Sequence, residues 1–401
     1  MPAMKDQLPR ISQSPVAPDF VQDPYVFYDR ARALGKLVWW DEYDMPCAVG
    51  HAAVNAILRD RRFGRPPPER VPAPAHLAAF HALDDLSLLE LEPPAHTRLR
   101  KLVLRAFTTA RIAALEPEIA ALSHQLIEAL PEGGCDLIPA FAQRLPVIVI
   151  ARLLGVPEER AGDLLRWSNA MVAMYQARRD RALEDAAASA AAEFASFIDA
   201  VIEARHAAPR DDLISHLNAA RDAGEQLTRA EKIATCVLLL NAGHEATVHT
   251  LGNGVKALVE TGTQAALSPD RVDGTVEEIL RHDPALHLFT RYAYDDIEVM
   301  GRTVPRGARV ACLLAAGNRD PGPWEDPARF DPSRPVRPHL SFGAGLHFCL
   351  GAPLARLELR IALPILFARL KGLHLRGTPR YANLYHFHGL EALKVGYDKS
   401  A

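Results

Sequence analysis

A single cysteine set among glycines is the strongest chemical signal in this sequence. The run SFGAGLHFCLGAPLARLELR, residues 341–360, places Cys349 close to Phe342, Gly343, Gly345 and Gly351. Glycine is needed where the backbone takes a positive φ or approaches a flat ligand closely. A helical pattern follows Gly351, so Cys349 lies just before a helix N-terminus, where the macrodipole favours a thiolate. The run indicates a thiolate ligand; a buried structural cysteine or a metal pair with His347 explains fewer of these features.

Two pairs of charged or basic residues have helical spacing but are too common to identify a function alone. His96 and Arg100 lie four residues apart and could hold one anion between them. Glu278 and Arg281 lie three apart, so they share a helix face and can form an ion pair. Taken without context, the first pair is an ordinary basic helix face and the second an ordinary solvated pair.

A long apolar helix is predicted between Thr228 and Gly262. Thr228 and Glu231 form a capping-box pattern, and Gly262 is a suitable stop. The intervening residues are apolar on nearly all sides, which predicts a buried central helix. Its polar interruption, NAGHEAT at residues 241–247, is costly and needs a function. A zinc site is excluded, because the two histidines of this region lie five residues apart rather than four.

The cysteine run resembles the haem-binding loop of the cytochrome P-450 family. The pattern FGxGxHxCxG is complete from Phe342 to Gly351. The resemblance implies that Cys349 is the axial ligand of the iron of haem b, and that Phe342, Gly343 and Gly351 shape the cofactor loop. In this family the thiolate donates electron density that favours O–O cleavage.

The resemblance also implies roles for the two helical pairs. His96 and Arg100 match the propionate-binding helix of the family, and Arg291 and His347 supply two more propionate donors. Glu278 and Arg281 match a structural pair.

The polar interruption resembles the oxygen-activation motif of the family. Ala242 and Gly243 match its small residues, which lie by the haem and the bound O2, and Glu245 matches its acid. The usual threonine after the acid is replaced by Ala246, and Thr247 is displaced by about 100° around the helix. Protons could therefore arrive through ordered water, through Thr247 or from a hydroxyl group of the substrate.

The predicted fold is mainly α with a small β-rich part: the cytochrome P-450 fold, with a long central I-helix over the haem. We expect residues 1–20 to be an N-terminal tail that lies on the surface, and residues 21–401 to form a single catalytic domain. The chain carries no Gly/Ser linker that would divide it further.

Composition limits the classes of partner and compartment. A net charge of -3 shows no bias towards nucleic acid or membranes. The five cysteines are scattered, with no CxxC pair, so a disulfide framework is not expected and a reducing compartment is. With no apolar segment at the N-terminus, we expect a soluble, cytoplasmic monomer.

The function implied is that of a monooxygenase that inserts one atom of O2 into a small hydrophobic substrate. A separate ferredoxin or flavodoxin would supply the electrons. The substrate pocket is predicted to include five apolar residues: Leu239, Leu286, Leu288, Phe289 and Phe387. Two alternatives stay open, a haem peroxygenase driven by hydrogen peroxide and a non-catalytic haem protein that binds a ligand.

Overall fold

Helices make up most of the computed structural model, which describes residues 2–69, 72–176, 179–221 and 224–399. The helices in these ranges are α1 (Pro2–Lys5), α2 (Pro18–Gln22), α3 (Tyr25–Leu34), α4 (His51–Arg59), α5 (Ala78–Asp84), α6 (Ala95–Ala106), α7 (Thr109–Ala114), α8 (Glu116–Glu128), α9 (Arg144–Leu154), α10 (Ala161–Val172), α11 (Arg181–Ala207), α12 (Leu213–Ala219), α13 (Arg229–Thr261), α14 (Val272–His282), α15 (Leu314–Asn318) and α16 (Ala352–Arg369).

The strands are short and lie in three small sheets. They are β1 (Arg10–Ile11), β2 (Leu37–Trp40), β3 (Met45–Ala48), β4 (Phe63–Gly64), β5 (Gly134–Asp136), β6 (Leu288–Ala293), β7 (Ile297–Val299), β8 (Arg302–Val304), β9 (Arg309–Leu313), β10 (Leu370–Leu375) and β11 (Lys394–Lys399). The largest sheet has the order β1-β2-β3-β9-β6-β4, the second β10-β11-β5, and β7 pairs with β8. The mainly α prediction with a small β part is confirmed.

The central helix α13 forms as its end signals predict. The Thr228 side chain accepts a hydrogen bond from the backbone N–H of Glu231, and the Glu231 side chain accepts one in return from the backbone N–H of Thr228. Gly262 ends the helix in the left-handed conformation, which glycine adopts without steric cost. α13 packs against α9, α10, α11, α14 and α16, so it runs through the largest hydrophobic core.

The strand β6 places a predicted pocket residue and a predicted propionate donor on one side of the sheet. It pairs antiparallel with β9, with Phe289 opposite Cys312 and Arg291 opposite Val310. Because side chains alternate along a strand, Phe289 and Arg291 lie on the same face.

The N-terminal segment differs from the predicted surface tail of residues 1–20. β1 pairs in parallel with β2, and Leu8, Ile11 and Phe20 are buried. Helix α2 crosses the predicted boundary at residue 20. The apolar side chains between the prolines of this segment are buried, and this burial makes the segment part of the fold.

Candidate active site

The loop of residues 341–351, here called the cysteine loop, turns back on itself ahead of α16. The backbone N–H of Cys349 donates to the carbonyl of Phe342 at 3.0 Å. Gly343 and Gly345 have φ values of 67° and 69°. A Cβ on Gly345 would lie 2.3 Å from the carbonyl oxygen of Leu58, so only glycine allows this approach to α4.

The thiol of Cys349 lies at the N-terminus of α16, as the sequence predicts. Burial raises the pKa of Cys349, although the N–H groups of Gly351 and Ala352 and the charge of Arg100 act in the opposite direction. The residue has accessible surface, yet the protein around it desolvates the thiol. The N–H groups at the helix terminus and the nearby arginine charges favour the thiolate form, and a coordinated metal ion would favour it further.

The pair Glu278 and Arg281 fastens the segments behind the cysteine loop. Two hydrogen bonds of 2.7 Å join the two side chains, each of which is only 3% exposed. Arg281 also donates to the carbonyls of Asn318, Pro327 and Arg329. Because these partners are backbone groups before the loop, the pair has a structural position, away from the reacting side of the site.

Asn318 connects this pair to the cysteine loop. Its carbonyl accepts from Arg281, its side-chain amide donates to the Ser341 hydroxyl at 2.8 Å, and its side-chain oxygen accepts from the N–H of Leu340 at 2.7 Å. The start of the loop is thus fixed by hydrogen bonds on both sides.

Four basic residues predicted to bind propionates converge near the cysteine loop. The rings of His96 and His347 lie 4.7 Å apart, and Arg100 donates to the carbonyl of Phe348 at 2.8 Å. Arg291, on β6, is buried and donates to the carbonyl of its neighbour Thr290.

This basic group fits an anion with several oxygens. Both ring nitrogens of His96 are buried without a hydrogen-bond partner. Burial, followed by the charge of His347, lowers the pKa of His96 to about 4, and burial lowers the pKa of Arg291 to about 10. Burial disfavours the charged forms of these donors, and a carboxylate in contact with them would offset that cost. The donor set therefore suits the two propionates of a haem.

An acid that the sequence analysis missed lies in this group. Glu92 accepts a contact from Nε2 of His347 at 3.0 Å and a hydrogen bond from the N–H of Arg65 at 2.8 Å. Burial would raise the pKa of Glu92, but the hydrogen bonds and the charge of His347 lower it. Its position four residues before His96 is the sequence feature that could have indicated an acid near the basic group.

One face of α13 opens towards the interior of the site. Ala242 is exposed although it lies in the middle of this helix, and Ala246, four residues on, shares its face. Gly243 lies where α13 packs against α9. A Cβ there would be only 2.9 Å from Ile150, so glycine permits the close packing of the two helices. Thr247 is buried, about 140° from Ala242 around the helix axis.

Two histidines flank Glu245. Nε2 of His249 lies 3.3 Å from one carboxylate oxygen, and Nε2 of His244 lies 3.6 Å from the other. Burial would raise the pKa of Glu245, but the contact with His249 and the nearby histidine charges lower it. The His249 ring is confined by Gly389, whose added Cβ would lie 1.7 Å from Nδ1. The Glu245–His249 spacing of four residues could have revealed this contact.

A cavity of about 880 Å³ lies against β6 and the C-terminal loop. Leu288 and Phe289 line it, and the Phe289 ring would be 3.3 Å from a Cβ on Gly343, so Phe289 lies between the cavity and the cysteine loop. Residues from α5 and from the loops around Tyr175 and Tyr385 also line it. Charged and polar residues form much of the wall, in contrast to the apolar pocket expected.

The three other predicted pocket residues lie outside this lining as far as the described residues go. Leu239 is buried in the helical core. Leu286 pairs with Phe387 in an isolated antiparallel bridge, and the Phe387 ring lies 5.6 Å from that of His249. The structure therefore groups Phe387 with the Glu245–His249 contact.

Comparisons with known proteins agree with this geometry. The family model "Cytochrome P450" matches residues 272–379. Cytochrome P450 monooxygenase PikC of Streptomyces venezuelae is 37% identical over 391 residues, with 94% of this chain and 92% of the relative covered. The biotin biosynthesis cytochrome P450 of Bacillus subtilis is 34% identical over 398 residues, covering 97% of this chain and 100% of the relative.

Solved structures show the same fold. P450BioI, solved in complex with an acyl carrier protein ligated to hexadec-9Z-enoic acid, superposes with a TM-score of 0.90 at 34% identity, over 95% of this chain and 99% of that one. No helix in the described ranges is long and apolar enough to cross a membrane. A further relative, the 6-deoxyerythronolide B hydroxylase of Saccharopolyspora erythraea, is 35% identical over 357 residues, covering 86% of this chain and 85% of the relative. This chain is therefore a member of the cytochrome P450 family, a haem-dependent monooxygenase.

Proposed function

We propose that this enzyme inserts one atom of O2 into a C–H or C=C bond of a small, largely hydrophobic substrate, using haem b. The observation that carries the proposal is Cys349, held by glycine turns at the start of α16 and facing a group of buried, partly unpartnered bases. When bound, the haem supplies the oxidation chemistry, while the protein binds, orients and delivers protons.

In this proposal Cys349 holds the iron. His96, Arg100, Arg291 and His347 donate hydrogen bonds to the two propionates; His96 and Arg291 are buried, which strengthens the charge-assisted bonds of Arg291 in particular. Phe342, Gly343 and Gly351 shape the loop around the ligand, since a Cβ on Gly351 would lie 3.9 Å from the Cys349 sulfur.

The proton route in this proposal begins at Glu245. Its carboxylate, 3.3 Å from Nε2 of His249, would pass protons between this histidine and the open face of α13. Ala242 and Ala246 share the open face of α13 and add no hydroxyl there, while Thr247 lies on another face. Ordered water or a hydroxyl of the substrate would complete the route.

A separate ferredoxin or flavodoxin would deliver the electrons. The cysteine loop carries Phe348, 41% exposed, and helix α6, whose Arg100 donates to the Phe348 carbonyl, carries the exposed Lys101 and Arg105. An acidic redox protein suits such a surface. Arg98, a third candidate on α6, pairs with Glu231.

The test is the absorbance of the reduced protein with CO. We expect the red-shifted band typical of thiolate ligation, its loss in Cys349→Ser, and its retention in Cys135→Ser, which changes a cysteine on β5. A band at the position of histidine-ligated haem in the native protein would refute the proposal.

The absence of a hydroxyl at position 246 gives weight to a peroxide-driven peroxygenase as second candidate. We expect Ala246→Thr to raise product formed per reducing equivalent and to leave turnover with hydrogen peroxide unchanged. Unchanged coupling, together with full loss of activity in Thr247→Ala, would assign the proton route to Thr247. Peroxide turnover that exceeds turnover with a ferredoxin system would favour the peroxygenase.

A further inference from the structure

The wall of the 880 Å³ cavity carries three carboxylates, which differ in the partners that compensate their charge. Glu90 forms an ion pair with Arg65 at 2.9 Å. Glu42 accepts hydrogen bonds from the Ser12 hydroxyl and the N–H of Gln13. Asp84 has no ion-pair partner among the described residues, and its hydrogen bond comes from a neutral donor, the Tyr175 hydroxyl, at 3.0 Å. Asp84 is thus the acid whose charge the protein leaves uncompensated.

The surroundings of Asp84 disfavour the ionised form of its carboxyl group. Burial raises the pKa of Asp84 to about 6, and the charge of Glu90 raises it further, while Arg65 acts in the opposite direction but already pairs with Glu90. A desolvated carboxylate is stabilised by a cation in direct contact. At this point the cavity therefore favours a positively charged group.

The neighbouring wall is aromatic rather than cationic. Phe80, Tyr175 and Tyr385 present rings to the cavity, and such rings attract ammonium groups. His386 does not supply the missing charge, because burial lowers its pKa to about 4.

The two other lining arginines lie on the exposed part of the wall. Arg179 donates to the carbonyl of Met174, and Arg309 stands 6.0 Å from the centre of the Tyr292 ring. Solvent screens their charge more strongly than that of the half-buried Asp84.

We infer that the substrate carries a basic amine, which Asp84 and the adjacent aromatic rings hold as a cation while its apolar body extends past Phe289 to the cysteine loop. This inference rests on the proposed function, since it names the substrate class of the same cavity. Nothing in the reaction at the iron requires the amine; it would orient the substrate.

The experiment uses three ligands of one chain length: decyltrimethylammonium, neutral N,N-dimethyldecanamide and decanoate. The quaternary ammonium has no lone pair and cannot ligate the iron. Binding to the holoenzyme is measured by isothermal titration calorimetry. We expect decyltrimethylammonium to bind at least about tenfold more tightly than the amide, which corresponds to about 1.4 kcal/mol.

Asp84→Asn should remove most of this preference, because the variant keeps an acceptor for the Tyr175 hydroxyl but loses the charge. Asp85→Asn is the matched control: it removes the same charge one residue along, outside the cavity lining. We expect it to keep the preference.

Equal affinities for ammonium and amide, tightest binding of decanoate, or an undiminished preference in Asp84→Asn would each overturn the inference. The proposed function is judged separately by the CO spectrum of the same preparation. A thiolate-type spectrum with no ammonium preference would leave the monooxygenase proposal intact and refute the amine.

Discussion

Replacing Arg281 by methionine tests whether the buried ion pair supports the fold. The change keeps most of the side-chain volume but removes two hydrogen bonds to Glu278 and three to backbone carbonyls. Glu278 would stay buried with the N–H of Asp331 as its remaining close donor. Removing one partner of a buried pair costs about 3–5 kcal/mol. Since domains are stable by only about 5–15 kcal/mol, this is a large fraction of the total.

The assay is urea unfolding followed by far-ultraviolet circular dichroism, and the chain offers a matched control next to the pair. Glu277 and Arg356 form a similar two-contact pair, but their side chains are 20% and 37% exposed. Arg356→Met should cost about 1 kcal/mol or less, because solvent compensates the loss.

A double variant completes the test. In Glu278→Gln with Arg281→Met the buried carboxylate is gone, and Arg334, whose Nε lies 3.6 Å from Glu278, keeps its hydrogen bonds to the carbonyls of Glu325 and Asp326. We therefore expect the double variant to recover at least about 1 kcal/mol relative to Arg281→Met alone. Equal losses in Arg281→Met and Arg356→Met, or no recovery in the double variant, would refute the argument that the buried charge dominates.

Three further predictions concern buried groups. Glu358 is buried with both oxygens unpartnered, and burial raises its pKa well above 4.5; the folded state keeps the proton, so stability falls as pH rises above that value. Glu358→Gln should raise the melting temperature, with a gain larger at pH 8 than at pH 5; a constant gain would contradict this. Burial opposes ionisation of Asp283, yet nearby positive charge and hydrogen bonds hold its pKa below 3.8. Asp283→Asn should therefore cost about 2 kcal/mol at pH 7, a difference that shrinks progressively as the pH falls below 3.8 in acid titration. Gly389→Ala should cost about 1–3 kcal/mol by displacing the His249 ring, and His249→Ala in the same chain should recover part of that loss.

Local patterns in the sequence predict much of the framework of the site. The turns of the cysteine loop follow from Gly343 and Gly345, whose positive φ values only glycine adopts without strain. The ends of α13 follow from the Thr228 capping box and Gly262. These features depend on residues within a few positions of each other, so a single sequence carries them.

Contacts between distant segments were not predictable in this way. Gly389 in the C-terminal loop packs against His249 of α13. Glu92, in the segment before α6, contacts His347 of the cysteine loop. The uncompensated charge of Asp84 depends on which donors other segments bring near it. Such features arise from tertiary packing, and helical or strand periodicity does not encode them.

The way Arg281 binds its surroundings has a consequence for how this chain can vary. It recognises the carbonyls of Asn318, Pro327 and Arg329, which every amino acid possesses, and not their side chains. Residues along this stretch can therefore be exchanged while its path is preserved. Surface properties such as charge and partner preference can diverge there between homologues without disturbing the cysteine ligand, and the same freedom is open to protein engineering.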